Sequence, residues 1–154
     1  MTLETIFGAF TLTDDPARFD VARAHDWICG QSYWADGIPL AVFSKAVSRS
    51  LAVSAHHAEG GMAAMARVVT DRATFGLICD VFVDDGWRGR GLGKALMSYL
   101  RAHPDLQGFR RTMLATRDAH TLYAQFGFAP LAVTERWMEI RDPDVYRRAL
   151  TQAS

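Results

Sequence analysis

Cysteine is scarce in this chain: only Cys29 and Cys79 occur among 154 residues, and they form no CxxC pair. A disulfide framework and a cysteine-rich zinc site are therefore excluded as the basis of the fold. An excess of either charge is lacking too, since 17 Lys and Arg offset 17 Asp and Glu. Nucleic acid and acidic membrane surfaces reward a basic surplus, so neither is an expected partner. No stretch approaches the roughly 18 unbroken apolar residues of a membrane span. The N-terminal MTLETIFGAFTLTDDP has no basic start followed by a long apolar run, and the expected location is the cytoplasm. Internal repeats and low-complexity tracts are absent as well.

What is present is a globular composition, 49% hydrophobic and 22% charged, too apolar for a disordered chain. The length suits one domain over residues 1–154, with a short flexible tail expected at 151–154. A chain of this size can bury roughly 68–70% of its unfolded surface, enough for a core without covalent staples.

The pattern of apolar residues and breakers sets the elements. Ile6–Leu12 reads as a strand ended by Asp14-Asp15-Pro16. Asp20 is placed to cap a helix running to about Gly30, with Val21, Ala24 and Ile28 on one face. An unusually aromatic loop, Ser32-Tyr33-Trp34, leads to Pro39 and a second helix with Leu40, Phe43 and Val47 inward. Ser50–His57 and Met62–Thr70 flank a turn and read as a hairpin. Thr74–Val83 is the most continuous apolar strand. A helix carrying Leu92, Ala95, Leu96, Tyr99 and Leu100 follows and stops at Pro104. Arg111–Ala115 reads as a strand, Asp118–Phe126 as a short helix, Leu131–Ile140 as a strand, and Asp142-Pro143 opens a last helix through Leu150. The order β-α-α-β-β-β-α-β-α-β-α implies an α/β fold whose mixed sheet is flanked by helices.

Chemistry concentrates where the long strand ends. Val81-Phe82-Val83 runs into Asp84-Asp85-Gly86-Trp87, and then into Arg88-Gly89-Arg90-Gly91-Leu92-Gly93-Lys94. Glycines let main-chain N–H groups converge, and the helix that begins at once adds unsatisfied donors and a positive dipole. Three cations surround the same point in a chain with no net charge, which suits a phosphate group. A Walker A loop is excluded, because Arg88 stands where its first glycine belongs and Ala95 where Ser or Thr belongs. The GxGxG spacing also fails the GxGxxG dinucleotide pattern.

A second stretch lies about thirty residues on: Thr116-Arg117-Asp118-Ala119-His120-Thr121-Leu122-Tyr123, ending in Gly127-Phe128. Together the two segments resemble the GNAT superfamily of acyl-CoA N-acyltransferases. Val83 followed by Arg88-x-x-Gly91-x-Gly93 is similar to its pyrophosphate loop. Ala119-x-x-Leu122-Tyr123-x-x-x-Gly127-Phe128 is similar to its AxxLYxxxGF segment. Thr116 departs from the asparagine that many members carry.

The resemblance implies a mostly antiparallel sheet that splays open at the CoA site. It implies that acetyl-CoA is held by main-chain groups of Val81, Phe82 and Val83 and by the loop from Arg88 through Gly89, Arg90, Gly91, Leu92 and Gly93 to Lys94. One of Arg88, Arg90 and Lys94 would reach the 3′-phosphate. Tyr123 matches the tyrosine that returns a proton to the sulfur leaving group, as a phenol with pKa near 10 can. The implied reaction is transfer from acetyl-CoA to the primary amine of a small molecule or amino-acid derivative. A longer acyl donor and a non-catalytic acyl-CoA sensor are the alternatives. The family also allows a homodimer, and Trp137 is a candidate for its interface.

Asp80 interrupts the apolar strand, and simple alternation puts it on the face of Ile78 and Phe82. A carboxylate among apolar neighbours needs a partner. It can serve as base or amine anchor, or pair with Arg67 as a structural group. Tyr33 and Trp34 are candidates for contacting the acceptor or for capping the core. No metal is expected: His56 and His57 are adjacent in a strand and point to opposite faces, and no third ligand accompanies them.

Overall fold

The computed structural model describes residues 1–153. Six strands, β1 (Glu4–Phe7), β2 (Phe10–Thr13), β3 (Leu51–His57), β4 (Gly61–Thr70), β5 (Phe75–Val83) and β6 (Arg111–Leu114), form one sheet in chain order. Neighbours are antiparallel except β5 and β6, which run parallel. A parallel pair needs a crossover, and α3 (Leu92–Ala102) supplies it. The first two helices, α1 (Val21–Gln31) and α2 (Leu40–Ser48), connect β2 to β3. The short α4 (His120–Ala124) and terminal α5 (Val145–Ala153) follow β6.

Each face of the sheet has its own core. Leu92, Leu96, Met97 and Leu100 of α3 pack with Leu12, Val53, Val68 and Ile78. On the other face, Trp27, Ile28 and Phe43 of α1 and α2 pack with Met65 and Phe82. The spacing of these apolar residues gives each helix one buried stripe. Asp20 caps α1 as its position suggests, its Oδ1 accepting the Arg23 amide at 3.0 Å. Leu40 was expected inward but is 49% exposed, at the first residue of α2.

Three other segments depart from the sequence pattern. Ile6–Leu12 is two strands of a hairpin rather than one, because Gly8 turns the chain at φ +56°. Leu131–Ile140 is no strand. Its apolar residues suit one, but Thr134–Arg136 closes a 3₁₀ turn, with the Trp137 amide donating to the Thr134 carbonyl at 3.1 Å. That turn takes the backbone out of extended conformation and leaves Met138 and Ile140 fully exposed. At the C-terminus α5 runs through Ala153, three residues into the stretch read as a tail, and Ser154 lies outside the described residues.

A polar network pins the N-terminal hairpin to α3. Tyr99 Oη donates to the Leu3 carbonyl at 2.7 Å, and the Leu3 amide donates to Asp14 Oδ1 at 2.7 Å. His103 Nδ1 accepts the Asp105 amide, which leaves the proton on Nε2 to donate to Asp14 Oδ2 at 2.8 Å. Burial disfavours the Asp14 carboxylate, but the His103 and Leu3 hydrogen bonds outweigh it and lower its pKa below 3.8. A lowered folded-state pKa contributes stability that is complete at neutral pH and is lost as pH falls through that value. Asp14→Asn is therefore expected to lose about 1–3 kcal/mol at pH 7 in urea denaturation. The gap between variant and wild type should close as the pH is taken below 3.8.

Candidate active site

The site begins with an irregularity in β5. Arg67 of β4 stands opposite Cys79, but Met65, two residues along, stands opposite Phe82. One extra residue of β5 is accommodated there, a β-bulge. Asp80 is that bulge's left-handed residue, at φ +54°. Such a conformation costs roughly 1–2 kcal/mol for most side chains, and Asp and Asn tolerate it best. The bulge reverses the strand's phase. Ile78 packs in the α3 core, whereas Phe82 packs with α1 and α2, its ring stacked on Trp27 at 5.5 Å. The expectation that Ile78, Asp80 and Phe82 share a face is thereby corrected; the extra residue shifts the alternation.

Asp80 is buried and has both oxygens engaged. Trp34 Nε1 donates to Oδ1 at 2.8 Å, and Arg67 Nε donates to Oδ2 at 2.8 Å. Arg67 Nη1 continues to Ser50 Oγ at 3.0 Å. Pairing of β5 with β6 runs from Phe75 to Ile78 and stops there. Beyond it Phe82 and Val83 are paired with β4 on one side only, and the sheet opens on the β6 side.

The glycine loop closes one end of this opening. Gly91 at φ +81° is the N-cap of α3, and Gly89 has φ +78°. A side-chain carbon at Gly89 would meet nothing within 4 Å, so space remains beside the loop amides. Trp87 fixes the loop from below, stacked on His57 at 4.5 Å and edge-on to Phe10 at 5.4 Å. Arg90 lies over the Trp87 ring at 4.7 Å. Arg88 folds back: its Nε donates to the Val83 carbonyl at 3.0 Å, its guanidinium lies over Phe82, and Nη1 pairs with Asp85. Lys94 is exposed, and among the described residues no carboxylate pairs with it or with Arg90. These amides, cations and free space fit a pyrophosphate group.

The second motif meets the first through Leu122, which would touch a side-chain carbon on Gly93 at 3.8 Å. Thr116 Oγ1 accepts the Ala119 amide at 3.0 Å and so organises the turn into α4. Tyr123 is half-buried, edge-on to Phe128 at 6.2 Å. Burial, then Tyr33 and Asp118, push its pKa above 10.0. The phenol therefore stays protonated well past neutral pH.

The aromatic loop spans the opening. On one side Trp34 is bonded to Asp80 of β5; on the other Tyr33 Oη accepts the Arg117 amide at 2.9 Å. The Arg117 guanidinium lies over the Tyr33 ring at 3.9 Å, and the Tyr33 and Trp34 rings meet edge-on at 5.0 Å. Tyr33, Trp34 and Asp80 thus meet in one region, and Tyr123 lies within electrostatic reach of Tyr33. His56 and His57 do not join it or each other: His56 bonds Ser54, and His57 stacks on Trp87. Cys79, one residue from Asp80, has its pKa pushed up to about 11 by burial and is a poor nucleophile. Arg117 and Trp87 were missed by sequence reasoning. The only signal for either was its position inside a motif, with an aromatic partner distant in sequence.

A family model described as an acetyltransferase (GNAT) domain matches residues 48–130, more than half of the chain. Among solved structures, a protein from Xanthomonas campestris pv. campestris assigned to the GNAT acetyltransferases is 42% identical, with a TM-score of 0.86. The match covers 89% of this chain and 96% of that one. A GNAT family acetyltransferase from Elizabethkingia anophelis with acetyl-CoA bound shares the fold at 13% identity and a TM-score of 0.59, covering 88% and 90%. Glucosamine-6-phosphate N-acetyltransferase from Arabidopsis thaliana shares it at 17% identity and 0.59, covering 86% and 99%. No functionally curated protein matches the sequence.

Within the loop the two kinds of glycine predict different outcomes. Gly91→Ala forces a side chain into φ +81° and within 3.3 Å of the Phe7 ring, and should lose about 1–2 kcal/mol in chemical denaturation. Gly86→Ala, with ordinary φ and open space around it, should stay within about 0.5 kcal/mol of wild type.

Proposed function

The chain belongs to the GNAT acetyltransferase family, and on that premise we propose that it moves an acetyl group from acetyl-CoA directly to the primary amine of a small molecule or amino-acid derivative. The observation that carries this reading is the opening between β5 and β6, with the glycine loop at one end. Main-chain groups of Val81, Phe82 and Val83 are assigned to the extended arm of the donor. Loop amides from Arg88 to Lys94 are assigned to its pyrophosphate. Arg88 sits on the Val83 carbonyl and must swing away for the arm to pair there, which brings its charge toward the phosphates.

In the transfer the amine nitrogen bonds to the acetyl carbon, the carbon–sulfur bond breaks, and the proton that the amine gives up passes to solvent, from which the Tyr123 phenol is restored after it has protonated sulfur. A main-chain N–H beside Val83 is assigned to the thioester oxygen as charge develops on it. Tyr123 is assigned to protonate the departing sulfur. Its raised pKa and its half-buried position support that assignment, because an acid must remain protonated at working pH. Direct transfer is favoured over an acyl-enzyme because Cys79 is held as a thiol by burial. Tyr33 and Trp34 roof the region where the acceptor would lie, and the acceptor is read as small because that roof closes the opening from β5 to the turn before α4.

Tyr123→Phe should lower kcat by about 10²–10⁴-fold and leave acetyl-CoA affinity within about threefold of wild type. Thiol release across a panel of amines, amino acids and polyamines, with parallel calorimetric titration of acetyl-CoA, reads both. An acyl-CoA sensor would show binding with no turnover to lose, and a longer-chain enzyme would respond only when succinyl- or other acyl-CoA replaces the acetyl donor.

A further inference from the structure

We propose that Asp80 is a positioning residue for the acyl donor: with Arg67 and Trp34 it locks the β5 bulge that turns the Val81–Val83 main chain into the opening beside β6. The inference rests on the acetyl-CoA reading of that opening. Three observations converge on it. The bulge and the end of β5–β6 pairing coincide, since pairing stops at Ile78 and the extra residue follows Cys79. The bulge residue has a left-handed backbone, where glycine is usual. And the side chain that replaces glycine there has both oxygens bound, by a β4 guanidinium and by the indole of the α1–α2 loop.

A base must reach the proton that it removes, but the two oxygens of Asp80 point at Trp34 and Arg67 in a side chain only 6% exposed. The same contacts suit a lock. Arg67 lies on the strand opposite the bulge, so its ion pair fixes the bulge to β4. Trp34 lies on the loop over the opening, so its hydrogen bond ties the roof to the bulge. Without the lock only side-chain packing opposes migration of the extra residue along β5, and every side chain it passes changes face.

The test separates backbone from carboxylate. Asp80→Ala keeps the strain and removes both bonds, whereas Asp80→Gly removes the bonds and relieves the strain. Acetyl-CoA titrated by calorimetry into each folded protein should bind about tenfold or more weakly to Asp80→Ala, with Asp80→Gly recovering part of the loss. Arg67→Met and Trp34→Phe, which leave the carboxylate in place, should also raise the KM for acetyl-CoA. Asp80→Ala, Asp80→Gly and Arg67→Met should keep kcat at saturating donor within about threefold, and the acidic limb of the rate–pH profile should not move. If Asp80→Ala does not fold, Asp80→Gly and Trp34→Phe carry the comparison. Unchanged acetyl-CoA affinity in the variants, with turnover lost or the acidic limb gone, would overturn the proposal and make the carboxylate act on the acceptor. Failure of the wild-type protein to bind acetyl-CoA would overturn the donor reading itself, and the proposal with it.

Discussion

A β-sheet can open between two neighbouring strands only if the main-chain groups along the gap find other partners, because buried amides and carbonyls left unpaired are costly. Here the opening starts at one residue. Beyond Ile78 β6 no longer pairs with β5, and the bulge at Asp80 turns β5 while β4 continues to hold it through Met65–Phe82 and Ala64–Val83. The rest of the active region is arranged around that departure. The Arg88 side chain occupies the Val83 carbonyl, the aromatic loop covers the gap, and the glycine loop takes the chain directly into α3.

The bulge also links the two cores. Before it, β5 delivers Ile78 to the α3 side; after it, Phe82 goes to Trp27 on the α1–α2 side while Val81 and Val83 pack against the α3 core. A register slip of one residue would exchange these sets, so packing on both faces opposes movement of the bulge. The charged contacts of Asp80 add to this, and they tie sheet stability and site geometry to the same few side chains.

The parts legible in the sequence are those set by local rules. The Asp20 cap, the apolar stripe of α3 and the glycine turn that leads directly into it follow from short motifs. The bulge was not legible in the same way. An Asp in an apolar run signals a buried polar partner, and Arg67 was named among the candidates, but strict alternation placed Asp80 with Ile78 and Phe82 and gave no sign of the phase change. The contacts of Arg117 with Tyr33 and of Trp87 with His57 join residues far apart in the chain, which periodicity does not address. Leu131–Ile140 shows the opposite failure: its composition suits a strand, yet a 3₁₀ turn at Thr134–Arg136 and the stacking of Trp137 beneath Arg111 at 4.4 Å decide its course.

The most direct measurement of the central claim is a crystal structure of the protein soaked or grown with acetyl-CoA. The account predicts the pantetheine arm between β5 and β6, hydrogen-bonded to main-chain groups of Val81–Val83, with the pyrophosphate on the amides of the Arg88–Lys94 loop and Arg88 withdrawn from the Val83 carbonyl. The Asp80 bulge should be unchanged, with Arg67 and Trp34 still on its two oxygens. A donor bound elsewhere on the molecule, or β6 closed onto Val81–Val83 with the loop empty, would contradict it.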